Sequence, residues 1–225
     1  MKLSVLMPVY NEQRTLDDIL DRVLAAPLPK DMEIEVIAID DASTDSSGKM
    51  LDKRAGEDVR IKIVRHEKNM GKGAAIRTAI TKATGDIAII QDADLEYDPR
   101  EYTKMIWPIL EDGADVVYGS RFASPEYRRV LFFWHSVANR MLTTLSNMLT
   151  DLNLTDMETG YKAFRMSVLK TIPIRSNRFG IEPEITAKIA KRKLRIFETS
   201  VSYSGRTYFE GKKIGLKDAV AALWT

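Results

Sequence analysis

Cysteine is absent from the 225 residues, and histidine occurs only at His66 and His135. Without thiols there are no disulfides, thiolate nucleophiles, Fe–S clusters or Cys-based zinc sites. Two histidines far apart in sequence cannot build a multi-His metal centre. A bound metal would therefore rest on carboxylates, the ligands of hard ions such as Mg²⁺ or Mn²⁺. An excess of either charge is also missing, since 34 Lys and Arg stand against 32 Asp and Glu for a formal charge of +2. A dedicated nucleic-acid binder would carry a strong basic excess. No run approaches the roughly 18 apolar residues of a membrane-crossing helix; the best are 87–90 and 130–134. The start, MKLSVLMPVYNE, lacks the apolar region and small-residue cleavage site of a secretory signal. The expected location is cytoplasmic, with peripheral attachment to the cytoplasmic face of a membrane as the variant.

What is present suits one globular unit. Hydrophobic residues make up 44% and charged residues 29%, enough apolar material for a core and too much for disorder. Short apolar runs at 3–9, 35–39, 61–64, 86–91 and 115–118 read as strands. Helical patterns alternate with them at 15–24, after Ser43 or Asp45 as cap and closed by Gly56, at 73–83, and from the Asp98-Pro99 cap to about 112. This alternation predicts an α/β fold with a parallel sheet and helices on both faces. The second half is less regular, with helical patterns at 130–149 and 185–192, a strand at 194–203 and a polar loop at 206–213. The apolar face of 215–224 stops without a cap, the mark of a longer natural tail or of a short terminal helix. With no repeat or linker, 1–225 is expected to be a single domain.

In doubly wound sheets, ligands bind beyond the carboxyl ends of the strands, and three polar clusters fall there. Asp92-Ala93-Asp94 follows the strand at 86–91; two carboxylates one residue apart can share a divalent cation with a diphosphate, or simply form an Asp-rich turn. Asp40-Asp41 ends the strand at 35–39 and suits a base or ribose, or a helix cap. Pro8, Tyr10 and Glu12 end the first strand, where Tyr10 would stack on a base and Glu12 accept from it. Asn69-Met70-Gly71-Lys72-Gly73 enters a helix like a phosphate loop but without Walker A or G-x-G-x-x-G spacing; it reads as a tight turn with Lys72 toward phosphate. Arg121, in Gly119-Ser120-Arg121, offers a planar fork for an anion. Asp156 lies in DMETGYK, and Arg206, Lys212 and Lys213 form a second basic cluster. His135, among Phe132, Phe133 and Trp134, reads as helix-surface packing.

Taken in order, PVYNE, DDASTD, Asn69-x-Gly71, QDADLE, GSR and DxxTGYK resemble the family 2 glycosyltransferases of the GT-A fold over about residues 3–206. Within them the combination is most similar to the dolichyl-phosphate mannose synthase group, the polyprenyl-phosphate sugar transferases. The resemblance implies a Rossmann-like, mostly parallel sheet, with 1–120 as the nucleotide-sugar half and 121–225 as the acceptor half. It implies Pro8, Tyr10, Glu12 and Asp40 in the nucleotide pocket. Asp92 and Asp94 would straddle metal and diphosphate with Gln91 nearby, and Arg121 would face the acceptor phosphate. Asp156 would be base or sugar contact, and Arg206 and Lys212 would close on donor phosphates. Arg128, Arg129 and Arg140 compete as a further acceptor arginine.

The expected activity is inverting, metal-dependent transfer of a hexose from GDP-mannose or UDP-glucose to a polyprenyl or dolichyl phosphate. A phosphate acceptor is already ionised near neutrality, so no strong base is needed. A hydroxyl acceptor on a glycolipid or polysaccharide would need one, and Asp156 is then the candidate. The expected partners are the nucleotide sugar, the lipid acceptor, a membrane surface through 130–149 and 215–224, and a second copy of the chain. Two rivals are a nucleotidyltransferase, whose Gly-rich N-terminal loop is missing at 7–15, and a non-catalytic sugar-nucleotide-binding protein.

Overall fold

Strand β1 (Lys2–Val9) sends Leu3, Val5, Met7 and Val9 to one face and Leu6 to the other, the period-two alternation of an extended chain. Both faces are covered, so the strand reads as one apolar run. The computed structural model describes residues 1–123 and 132–205. Strands β2 (Glu33–Asp40), β3 (Ile61–Arg65) and β4 (Ile87–Ile90) join β1 in parallel, in the order β3-β2-β1-β4. Parallel neighbours need crossovers, supplied by helices α1 (Leu16–Leu24), α2 (Ser47–Glu57) and α3 (Lys72–Lys82). Helix α1 buries Leu16, Ile19, Leu20 and Val23, an i, i+3, i+4, i+7 stripe. Each such side chain contributes about 1.5–3 kcal/mol of burial.

The Asp98 carboxylate accepts from Arg100 N and starts a 3-10 turn, Pro99–Glu101, that leads into α4 (Tyr102–Leu110). Strand β5 (Val116–Ser120), helix α5 (Phe133–Thr150), strand β6 (Lys162–Arg165), helix α6 (Met166–Leu169), helix α7 (Ile181–Lys191) and strand β7 (Ile196–Ser200) follow. They complete a seven-stranded sheet, β3-β2-β1-β4-β6-β5-β7. Helices α1, α2 and α4 pack on one face and α3, α6 and α7 on the other, with α5 alongside α7.

The mostly parallel sheet is as expected, and the exception lies in the second half. Strand β6 pairs antiparallel with both β4 and β5. It escapes sequence reading because KAFR is four residues long and charged at both ends. Helix α7 starts at Ile181, ahead of the expected 185, because Pro183 falls in the first turn, where a missing N–H costs nothing. Gly56 sits inside the last turn of α2, which ends at Glu57, so it does not close the helix. The segment 215–224 and the polar loop at 206–213 lie outside the described residues.

At the sheet end away from the polar clusters, the buried Glu35 carboxylate accepts from Ser4 Oγ (2.7 Å), Lys62 Nζ (2.7 Å), Thr84 N (2.7 Å) and Thr84 Oγ1 (3.0 Å). Burial alone would raise its pKa, but the bonds from Lys62, Ser4 and Thr84 outweigh it and hold the carboxyl down to about 2. A depressed carboxylate pKa gives stability that is present above the ordinary value and lost as the pH falls through the folded one. Replacing Glu35 by Gln is expected to destabilise the protein at pH 7 by about 1–3 kcal/mol. Denaturant titrations should show that gap narrowing as the pH falls from 4.5 toward 2. A gap constant from pH 7 to 3 would contradict this assignment.

Candidate active site

Four loops meet where β1, β2, β4 and β5 end. The first two are laced together by side chain to backbone bonds. Asn11 Oδ1 accepts from Thr44 N (2.8 Å), Ser43 Oγ from Asn11 N (3.1 Å), and Ser47 Oγ from Glu12 N (2.9 Å). Positive φ at Asn11 (55°) and Ala42 (59°) sharpens both turns; at Ala42 this is strained backbone, which persists only where the surroundings impose it. Pro8 lies within β1 opposite Ile39. Tyr10 is exposed beside Glu12 at the strand's end. Asp40 is buried, accepting from Ser43 N (2.9 Å) with Arg65 Nε 3.5 Å away.

Asp41, its neighbour, organises the next loop. Its Oδ1 accepts from His66 Nδ1 (2.6 Å) and Met70 N (2.9 Å), and its Oδ2 from Gly71 N (2.7 Å). Gly71 has φ +94°, and a Cβ there would stand 2.5 Å from Asn177 O, so only glycine fits. Ala74 N donates to Asn177 O (3.1 Å). The backbone N–H groups of Met70, Gly71 and Ala74 are thus spent inside the protein. Lys72 alone is directed onward, with Nζ 2.8 Å from Asp92 Oδ2.

The Asp92–Asp94 turn rests on Gln91, which is fully buried; its Nε2 donates to Asp92 O (3.1 Å) and its Oε1 accepts from Tyr102 OH (3.0 Å). Asp94 Oδ1 accepts from Glu96 N (3.1 Å), and Leu95 between them has φ +64°. Antiparallel β6 then brings residues 156–160 over this turn. A Cβ on Gly160 would lie 2.7 Å from Asp92 Oδ2 and 2.9 Å from Lys72 Nζ. The lack of a side chain there leaves room for the ion pair. Two hard carboxylates on one turn fit Mg²⁺ or Mn²⁺, with the remaining oxygens supplied by substrate and water. Among the described residues no group of three or more His, Asp or Glu forms a complete metal shell.

On the β5 side, Arg121 donates from Nε (2.6 Å) and Nη2 (2.7 Å) to the two oxygens of Asp156, and from Nη2 to Asn139 Oδ1 (3.0 Å) on α5. Its guanidinium lies over Tyr203, 5.3 Å from the ring centre. Asp156 is fully buried and also accepts from Asn139 Nδ2 (3.1 Å). Burial would raise its pKa, but the charge and hydrogen bonds of Arg121 hold it below the usual carboxylate range. Such a carboxylate is a poor base; the geometry makes Asp156 the holder of Arg121, whereas the expectation was a base for a hydroxyl acceptor or a sugar contact. Tyr97 links the two sides, its hydroxyl meeting Thr159 Oγ1 (3.3 Å) and Gly160 N (3.2 Å), and its ring stacking on Tyr161 at 4.9 Å.

Three residues that the motif reading passed over belong to this cluster. Lys162 is completely buried and donates to Glu182 on α7 and to the carbonyls of Met157 and Thr159. Glu158 keeps one buried oxygen, Oε1, without a hydrogen bond among the described residues. Burial, then the charge of Glu182, pushes its carboxyl up to about 7 against the opposing pull of Lys162 and Arg121. Glu158 and Lys162 stand inside DMETGYK, so their motif was visible though their roles were not. Glu182 had no signal at all. Arg206, Lys212, Arg128 and Arg129 lie outside the described residues, and Arg140 is exposed on α5.

Comparison with known proteins places this geometry. The chain is 30% identical over 217 residues to the undecaprenyl-phosphate 4-deoxy-4-formamido-L-arabinose transferase of Proteus mirabilis (strain HI4320), covering 96% of this chain and 64% of that protein. The same-named protein of Yersinia pestis (strain Pestoides F) is 30% identical over 203 residues, covering 85% of this chain and 60% of the relative. The chain therefore spans somewhat less than two thirds of these relatives. In fold it is similar to glucosyl-3-phosphoglycerate synthase from Mycobacterium tuberculosis, solved with Mn²⁺, UDP and glucosyl-3-phosphoglycerate, at a TM-score of 0.73, 20% identity and coverage of 99% of this chain and 77% of that one. A mannosyltransferase from Pyrobaculum calidifontis, solved with GDP-Man and Mn²⁺, gives a TM-score of 0.64 at 22% identity, covering 91% of this chain and 57% of that one. The sheet order and helix layers are those of the GT-A fold. Residues 4–172, well over half of the chain, match the model of Glycosyl transferase family 2, and the chain belongs to that family.

Proposed function

We propose that the protein transfers a hexose, with inversion, from a nucleotide diphosphate sugar such as GDP-mannose or UDP-glucose to a polyprenyl phosphate. The observation that carries this reading is the state of Arg121. Asp156 and Asn139 fix the guanidinium through Nε and Nη2, while among the described residues Nη1 donates to nothing. A half-buried, pre-oriented fork with a donor to spare suits a phosphate. The relatives named for undecaprenyl phosphate support the same acceptor class.

In this reading Pro8, Tyr10, Glu12 and Asp40 border the nucleotide. Asp92 and Asp94 meet its diphosphate, with Lys72 beside them at Asp92 Oδ2. A bound Mg²⁺ or Mn²⁺ on the two aspartates supplies screening of charge on the departing nucleoside diphosphate. Arg121 holds the acceptor so that its oxygen approaches the anomeric carbon opposite the leaving group. A phosphate monoester has a second pKa near 6, so the nucleophile arrives ionised, and orientation with charge stabilisation carries the reaction.

Helix α5 supports a membrane-borne acceptor. It has no Asp or Glu, and it exposes Phe133, Trp134, Met141, Met148 and Leu149 while Asn139 reaches Arg121. No helix among the described residues is long and apolar enough to cross a membrane. We assign this face to the bilayer surface that presents the lipid.

A donor panel tests the reaction. Purified protein with Mn²⁺ and GDP-mannose, UDP-glucose, UDP-galactose or UDP-N-acetylglucosamine should release nucleoside diphosphate and label polyprenyl phosphate with one donor. Trp134→Ser should slow transfer to lipid held in vesicles and spare transfer to a water-soluble short-chain lipid. Donor hydrolysis with no lipid product would contradict the acceptor, and equal loss with both lipids would contradict the assigned face.

One observation favours a second reading. Glu158, with its carboxyl pushed up to about 7, is suited to take a proton from a hydroxyl acceptor. Glu158→Gln separates the two. With a phosphate acceptor the variant should keep its rate within about fivefold, and its unfolding midpoint should rise relative to wild type at pH 8 more than at pH 5. The sign follows because a raised carboxyl pKa penalises the folded state above the ordinary value, a penalty that the amide removes. A rate collapse by about a thousandfold, together with loss of a pH-rate limb near 7, would select the hydroxyl route.

A further inference from the structure

The ammonium of Lys72 stands between two carboxylates and is bonded to only one. It lies 2.8 Å from Asp92 Oδ2 and 3.7 Å from Glu182 Oε1. Glu182 Oε1 is buried and has no hydrogen-bond partner among the described residues, whereas its Oε2 is bonded by Lys162. A buried carboxylate oxygen without a partner is costly, and here a cationic donor waits about one ångström beyond bonding distance. The rest of the geometry leaves Lys72 little other choice. Its backbone is pinned by Asp41 at Met70 N and Gly71 N, and by the carbonyls of Ser176 and Asn177 against Gly73 and Gly71. The backbone at Gly160 closes the side next to Nζ. Lys162, fully buried and satisfied by Glu182 and two carbonyls, holds Glu182 in place.

We propose that Lys72 is a resident counter-cation of Asp92 that moves to Glu182 Oε1 when a divalent cation occupies the Asp92–Asp94 turn. The inference rests on the reading above of those aspartates as the metal and diphosphate site, and it assigns a new role to Glu182, as the receiving position. Without metal, Lys72 neutralises a carboxylate that would otherwise face the Asp94 charge alone. With metal, Asp92 changes partner, and the displaced ammonium remains paired on an acid prepared for it. No charge is left buried without a partner in either state. Lys72 stays protonated throughout, so the exchange is one of position.

Mn²⁺ binding, read from the electron paramagnetic resonance signal of free Mn²⁺ with and without UDP or GDP, tests this apart from turnover. Lys72→Met removes the competitor and should tighten Mn²⁺ binding without nucleotide by about tenfold or more, as expected from deleting a unit charge a few ångström away. Glu182→Gln removes the receiving position and should weaken Mn²⁺ binding. In the double variant that weakening should disappear, since no ammonium needs to be received. Unchanged or weaker binding in Lys72→Met would overturn the proposal, as would equal weakening by Glu182→Gln in both backgrounds, the mark of a simple loss of negative charge. If Glu182→Gln fails to fold by circular dichroism, Glu182→Asp, which draws the carboxylate back by one methylene, replaces it in both backgrounds with the same expected pattern. Wild-type protein that binds Mn²⁺ only with nucleotide, joined to an unaltered Lys72→Met, defeats this inference and spares the donor reading. Wild-type protein that binds no Mn²⁺ under any condition defeats both.

Discussion

Strand β6 runs against β4 and β5, and that reversal controls what can stand at the carboxyl ends of the parallel strands. A chain that enters an antiparallel strand does so at the end where its parallel neighbours finish. Residues 156–160 are therefore delivered directly over the Asp92–Asp94 turn of β4 and beside Arg121 of β5. A sixth strand in the common direction would have placed the same motif at the opposite end of the strands. The close approach then needs Gly160, because any side chain at that position would enter the space held by Asp92 and Lys72.

Ionic groups crowd this cluster, and its three cations each have a carboxylate partner. Lys72 faces Asp92 and Glu182, Lys162 faces Glu182 and two carbonyls, and Arg121 faces Asp156. Arrangements of this kind contribute little net stability compared with apolar packing, but removing one member strands another. The network therefore orients two cations with accuracy, Lys72 on the side of the aspartate turn and Arg121 on the side of β5. Burial would lower the pKa of both, yet the neighbouring carboxylates raise it, so both remain charged.

The first half of the fold was legible because three of its first four strands end in a polar cluster and each crossover carries helical periodicity, from the 3–9 run to the Asp98-Pro99 cap. Strand β6 was not, since four residues give no period and Lys162 appears as a surface charge until its burial is seen. The motifs marked the residues that the fold gathers at the strand ends, but not their pairings. Asp156 stood as base or sugar contact, because nothing in one dimension shows that Arg121 and Asn139 occupy both of its oxygens. Asp41 looked interchangeable with Asp40, although it is Asp41 that anchors the loop carrying Lys72. Glu182 lies 20 residues beyond Lys162 of β6, on helix α7, and its pairing exists only in three dimensions.

The central claim is that the backbone at Gly160 seats the Asp92–Lys72 pair beneath it for the metal and diphosphate. Gly160→Ala tests it most directly, with calorimetric titration of Mn²⁺ and nucleoside diphosphate beside a thermal unfolding curve. The added methyl meets only the ends of two flexible side chains within 3 Å, so the unfolding midpoint should move little while Mn²⁺-nucleotide affinity falls by about tenfold or more. Affinity equal to wild type, in a variant that unfolds at the same temperature, would contradict the account.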